Sequence, residues 1–215
     1  MKNLGAAGAV FLALALGTQG AEATGSLSEA RGARLPAQFA ETFDKTLPPV
    51  GFVGFCARNA EECRSKGLRS SRIGMTSERW RLLFKVNSFV NGKVAPVSDE
   101  ELYGEAEYWA YPADAGDCED YVLMKKRYLE RLGFARSALL ITVVLDEKNE
   151  GHAVLMVATE EGDFVLDNRR NEIRRWSDLD YTYLKRQSQR DPRVWVSLGG
   201  EESLPSGVVA AGTEK

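Results

Sequence analysis

Histidine is nearly missing from this sequence: His152 is the only one. Any chemistry that needs an imidazole must therefore use it. Cysteine is also scarce, and the count of three is odd, so at least one thiol is left over after any pairing. Basic charge is not concentrated, and a formal net charge of -3 with a pI near 5.4 removes the case for nucleic acid as a partner. No internal repeat is visible. After residue 23 no segment is long and apolar enough to cross a bilayer. The 215 residues suffice for one moderate or two-lobed domain with a proper core.

What is present begins with a targeting pattern. Lys2 precedes an apolar run from Leu4 to Leu16, and Ala21-Glu22-Ala23 offers a small-residue cleavage site. Residues 1–23 are expected to be a signal peptide, with an uncleaved anchor as the alternative, and the destination is the periplasm or the exterior. Residues 24–46 read as a flexible leader, 47–198 as the folded domain and 199–215 as a disordered tail.

Export makes disulfides available. Cys56 and Cys63 are the natural pair. In one continuous helix their Cα atoms would lie about 10.5 Å apart, beyond the roughly 7 Å limit for a bridge. Asn59-Ala60-Glu61-Glu62 reads as a capping box, which puts Cys56 in a loop before a helix and Cys63 inside it, so that the pair can close. If it closes, Cys118 is the free thiol.

Cys118 lies in Gly116-Asp117-Cys118-Glu119-Asp120-Tyr121, at the start of a helix expected to end at Gly133. Asp117 reads as the N-cap, accepting from the N–H of residue 120, with Asp120 as the reciprocal partner. A thiol in a first helical turn is favoured as thiolate by the free N–H groups and the macrodipole, while the neighbouring carboxylates oppose this. A small buried hydrophobe is the alternative role for such a cysteine. Along this helix Tyr121, Val122, Tyr128, Leu129 and Leu132 are expected inside, with Lys125, Lys126, Arg127, Glu130 and Arg131 solvated.

Upstream, Thr76 to Val94 has a helical period that turns Trp80, Leu83, Phe84, Asn87 and Val90 inward. Asn87 on that apolar face is either a satisfied core amide or a donor to an active site. Residues 95–116 read as a long connection in which Trp109 could wall a cleft or cover the core. Downstream, Ala138–Leu145, Ala153–Ala158 and Phe164–Leu166 form an antiparallel meander, and the Arg-rich stretch after Asn168 adds one or two edge strands with a solvated face. Strands that follow helices in this way indicate an α+β protein.

In the second hairpin of the meander, His152 and Asp167 share a face by parity, and meeting would call for a wide or bulged loop. Cys118 as nucleophile, His152 as proton acceptor and donor, and Asp167 to orient the imidazole make a chemically sufficient set. An oxyanion hole would use the Cys118 backbone N–H and one more donor, for which Asn87 is the candidate.

LPPVGFVGFC, VNSFVNG, GDCEDYVLMKKRYLERLG, HAVLMV, VLDN and YLKRQSQRDPRVW, taken together from Leu47 to Trp195, resemble the bacterial transglutaminase-like cysteine peptidases, the family that includes LapG-type periplasmic proteases. The resemblance implies a papain-like, transglutaminase-type fold and a Cys-His-Asp triad that maps onto Cys118, His152 and Asp167. It also implies calcium held by acids flanking the nucleophile, which map onto Asp117 and Glu119; the same residues are explained without metal as a cap and a first-turn acid. LapG-type enzymes cut a surface adhesin. H-A-V in place of H-M-V, the Cys56 and Cys63 pair and the Arg-rich strand set this sequence apart from that branch. The expected function is an exported cysteine endopeptidase acting on a periplasmic or cell-surface protein, with no cofactor needed for the chemistry, and a monomer is expected. The alternatives are acyl transfer to an amine and a non-catalytic binding module.

Overall fold

The computed structural model describes residues 37–65 and 69–199. The expected signal peptide, most of the leader and the tail beyond Gly199 lie outside the described residues. In chain order, β1 (Lys45–Thr46) leads into α1 (Val50–Arg58), a 3-10 turn (Ala60–Cys63) and α2 (Ser77–Lys93). Then come β2 (Ala95–Pro96), α3 (Asp99–Tyr103), β3 (Ala115–Gly116) and α4 (Cys118–Arg131). The remaining strands are β4 (Leu139–Leu145), β5 (Gly151–Thr159), β6 (Gly162–Asp167), β7 (Arg170–Arg175), β8 (Thr182–Gln187) and β9 (Trp195–Ser197).

These strands form a seven-stranded sheet in the order β1-β9-β8-β4-β5-β6-β7, with every neighbouring pair antiparallel. The aliphatic runs of β4 and β5 are buried almost throughout and lie at its centre. The expected meander is present as β4-β5-β6, and the α+β class holds. Only β7 of the Arg-rich region takes the expected edge position. β8 instead returns to the open side of β4, where Tyr183 and Leu184 are buried.

Two N-terminal details differ from the reading of the sequence. Ala37–Thr46, expected in the leader, is tied to the sheet: the Ala40 N–H donates to the Asp163 carboxylate at 2.8 Å, and β1 pairs with β9. Cys56 lies inside α1, not in a loop, and Asn59 makes no side-chain cap. The disulfide Cys56–Cys63 nevertheless forms, with Cα atoms 5.6 Å apart. The helix stops at Arg58, and the 3-10 turn brings Cys63 back, shortening the separation that a straight helix would impose.

Thr76 caps α2 by accepting from the Arg79 N–H, as expected of a helix start. Phe84, assigned inward from periodicity, is 51% exposed, and Val86 is buried instead. Trp109 is fully buried against Phe52 and Trp195, with ring centroids 5.7 and 6.5 Å away, so it belongs to the core.

α4 packs on β5 and against α2, and this double coverage overturns the expected solvation of its lysines. Lys125 and Lys126 are buried, whereas Leu132 is 48% exposed. Lys126 Nζ donates to the Leu139 carbonyl and lies 3.4 Å from Glu130. Lys125 Nζ has no hydrogen-bond partner among the described residues. Burial pushes the Lys125 amine down to about 7, with the Asp167 carboxylate pulling the other way. Gly133, at φ 87°, closes the helix in the left-handed conformation expected of it.

The lowered value gives a stability prediction. At and below about pH 7 the ammonium is charged in both folded and unfolded chains, so its burial cost is fully present; above about pH 10.5 neither state carries the charge and the cost is gone. Lys125→Met is expected to raise the unfolding free energy by a few kcal/mol near pH 7. That gain should shrink as pH rises through this window, read from denaturant melts at several pH values. A gain absent at pH 7, or unchanged at pH 10, would contradict the burial argument.

Candidate active site

The site is assembled where the start of α4 meets the ends of β5 and β6. Gly116 precedes it because the chain passes too close to Asp120 for a side chain: a Cβ there would lie 2.5 Å from Asp120 Oδ2. Asp117 occupies the N-cap position with extended backbone but makes no side-chain cap, contrary to expectation. Its carboxylate belongs to an acidic cluster instead. Asp120 accepts from the Ala110 N–H at 2.7 Å, which anchors the preceding connection to α4.

Cys118 is the first residue of α4, and its sulfur is held from two sides. The thiol donates to Glu119 Oε2 at 3.2 Å, and Sγ accepts from the Ala153 N–H at 3.3 Å. The nucleophile candidate is thereby fixed against β5 one residue from His152. Burial, and then the Glu119 and Asp117 carboxylates, push the Cys118 thiol well above its usual range. Burial and the two acids thus work against the thiolate that a helix N-terminus favours.

His152 Nε2 lies 3.0 Å from Asp167 Oδ1, both residues being buried. The loop between β5 and β6 is tight, with Thr159 opposite Gly162, so the wide or bulged loop expected for this contact is absent. The ladder register places Leu155 opposite Leu166, which makes His152 and Asp167 diagonal neighbours, and their side chains bridge the offset.

Asp167 is unusually well supplied with donors. Oδ1 also accepts from the Arg169 N–H at 3.0 Å, while Oδ2 accepts from the Tyr181 hydroxyl at 2.7 Å and pairs with Arg170 Nε at 3.2 Å. Burial pushes its carboxyl up, but the hydrogen bond and charge of His152, with the Arg169 N–H and Tyr181, hold it well below the usual carboxylate range. An ionised carboxylate only accepts, so the proton on His152 resides on Nε2 and leaves Nδ1 as the basic nitrogen.

Cys118 and His152 line a common cleft of about 330 Å³. Val97, Ser98, Glu101, Gly151, Asn168 and Arg169 line it too. Asn87 is not part of that lining. Its amide donates to the carbonyls of Arg170 and Asn171 at 2.9 and 3.0 Å, so its donors serve the start of β7.

Asp99, Asp117 and Glu119 bring one carboxylate oxygen each within 4.8 Å of one another. Asp99 Oδ1, Asp117 Oδ1 and Glu119 Oε1 are buried without a hydrogen-bond partner among the described residues. Burial comes first, and mutual repulsion adds to it, in raising Asp117 to about 6 and Glu119 well above its ordinary value. Hard, unsatisfied oxygens in this arrangement fit an oxygen-loving divalent cation, for which they would supply part of the 6 to 8 ligands calcium takes.

The sequence reading missed Asp99, Tyr181 and Arg170. Ser98, which caps α3 by accepting from the Glu101 N–H, was the available sign that Asp99 begins a helix inside the long connection. Tyr181 and Arg170 carried no local sign, since their partner Asp167 is reached only through the sheet.

A family model described as bacterial transglutaminase-like cysteine proteinase BTLCP matches residues 42–203. Among solved structures, calcium-bound LapG of Legionella pneumophila is similar at 27% identity, over 60% of this chain and 75% of that one, with a TM-score of 0.49. The EGTA-treated form of the same protein is similar at 27% identity, over 58% and 69%, with a TM-score of 0.48. Curated protein sequences gave no match. With the family match spanning most of the described residues, the chain belongs to the bacterial transglutaminase-like cysteine proteinases and is a cysteine peptidase.

Proposed function

We propose that this peptidase is an exported endopeptidase in which Cys118, His152 and Asp167 act as a triad on a periplasmic or cell-surface protein, a surface adhesin among the candidates. The observation that carries the reading is the buried His152–Asp167 hydrogen bond in a cleft shared with a thiol fixed one residue from that histidine. Sγ attacks the peptide carbonyl carbon as its proton passes to His152 Nδ1, and the carbonyl electrons move to oxygen. The backbone N–H of Cys118, in the first turn of α4, is a donor available to that oxyanion. Collapse breaks the C–N bond, His152 protonates the leaving amine, and a thioester remains. Water then attacks the thioester, giving its proton to Nδ1, and the thiol is restored as the carboxylic acid product leaves. Asp167 keeps Nε2 protonated and stabilises the imidazolium throughout. The disulfide Cys56–Cys63 supports an oxidising compartment as the place of work.

Asp99, Asp117 and Glu119 are the residues to hold calcium, and their unsatisfied oxygens support that assignment. A bound divalent cation supplies positive charge beside the start of α4 that offsets three neighbouring carboxylates.

Cys118→Ala is expected to abolish cleavage, seen as loss of new protein termini when exported proteins from cells with the wild-type and variant enzyme are compared by mass spectrometry. Persistence of those termini would sink the mechanism, and crosslinked or amidated products in place of termini would assign acyl transfer to an amine. Glu119→Gln is expected to weaken calcium binding by roughly tenfold or more, measured by calorimetry, while Cys118→Ala leaves it unchanged. Equal affinity in Glu119→Gln and wild type would remove Glu119 from the ligand set.

A further inference from the structure

The ladder that holds β5 to β6 stops short of the residues that matter most. Its last hydrogen-bonded register on this side is Leu155 opposite Leu166, and from His152 to Val154 the strand β5 is paired only with β4. The pairing of β6 with β7 is also irregular between Val165 and Asp167. No continuous backbone ladder therefore fixes the separation of His152 and Asp167.

A side-chain tie spans this gap. Asp146 begins the β4–β5 turn and is itself buried. Its Oδ1 accepts from the N–H groups of Lys148 and Glu150 at 2.8 and 2.9 Å, which shapes the turn delivering His152. Its Oδ2 pairs with Arg169 Nη1 at 2.5 Å. The same Arg169 donates its backbone N–H to Asp167 Oδ1. Arg170 repeats the pattern more loosely, with Nε on Asp167 and Nη2 on Glu147 at 3.3 Å. Two consecutive arginines after Asp167 thus reach two consecutive acids in the turn before His152.

We propose that Asp146 and Arg169 are a positioning pair that locks these two turns together and sets the His152–Asp167 hydrogen bond. This inference rests on the triad reading given above. An exposed ion pair would contribute little, but here the Asp146 side chain is 1% exposed and the pair is charge-assisted. Displacement of a catalytic group by about 1 Å can cost on the order of a hundredfold in rate, so a tie of this kind is chemically consequential.

The single histidine makes the test direct. In tag-free protein labelled with 15N-histidine, the Nε2–H resonance reports the hydrogen bond to Asp167 with no competing signal. Asp146→Asn and Arg169→Gln are both expected to broaden or shift that resonance, and to slow alkylation of Cys118 by iodoacetamide at neutral pH about tenfold. Arg169→Lys should recover part of both, and thermal melts identify variants whose fold remains intact. An unchanged Nε2–H signal in the folded variants overturns the proposal. So does an effect of Arg169→Gln alone, which would mean that Arg169 acts directly on the cleft it lines and not through Asp146. The imidazole signal does not depend on turnover, so cleavage surviving in Cys118→Ala would overturn the triad reading while leaving this result standing.

Discussion

Everything at this site depends on keeping one carboxylate ionised inside the protein. Burying an unpaired carboxylate costs far more than the net stability of a domain, so Asp167 can stand beside His152 only if its oxygens are filled. They are, by the imidazole, the Arg169 N–H, the Tyr181 hydroxyl and the Arg170 guanidinium. The donors come from three separate parts of the chain, and the sheet brings them together. β5 carries the histidine, β6 ends in the aspartate, β7 begins with the arginine, and Tyr181 lies just before β8. With the charge fixed on Asp167, the imidazole proton is fixed on Nε2, and Nδ1 is the nitrogen that the proposed mechanism gives to the thiol.

Cys118, the proposed nucleophile, lies under the opposite constraint. A helix N-terminus by itself favours a thiolate, but burial first, and then the Glu119 and Asp117 carboxylates, push the Cys118 thiol the other way. In the proposed mechanism this direction gives the imidazole the work of a base. Asp117 and Glu119 also carry oxygens without partners among the described residues, so the proposed cation site and Cys118 are linked through charge. The same low-dielectric interior lowers the Lys125 amine one helical stretch further on, so α4 carries polar groups on a face that a simple amphipathic helix would keep apolar.

Much of this was legible in the residues. The aliphatic runs named the meander, the odd cysteine count left Cys118 free once Cys56 and Cys63 paired, and parity put His152 and Asp167 on one face. Less legible was whatever depended on one element being covered twice. Periodicity assigns a helix one inner face, and α4 has both β5 and α2 against it, so Lys125 and Lys126 were misplaced outward and Leu132 inward. Asn87 was correctly judged to need partners, but a one-dimensional pattern could not say that they are the carbonyls of Arg170 and Asn171. Arg169 and Arg170 looked like a solvated charge run because their partners in the β4–β5 turn lie more than twenty residues away in sequence.

Whether Cys118 is a nucleophile served by His152 is decided by the reactivity of that thiol. Alkylation by iodoacetamide, followed against pH in wild-type protein and in His152→Ala, reads the coupling without knowledge of the substrate. Loss of His152 is expected to slow alkylation near neutral pH by at least about tenfold while the fold is retained. Equal rates in the two proteins across the pH range would contradict it and leave Cys118 an ordinary buried thiol.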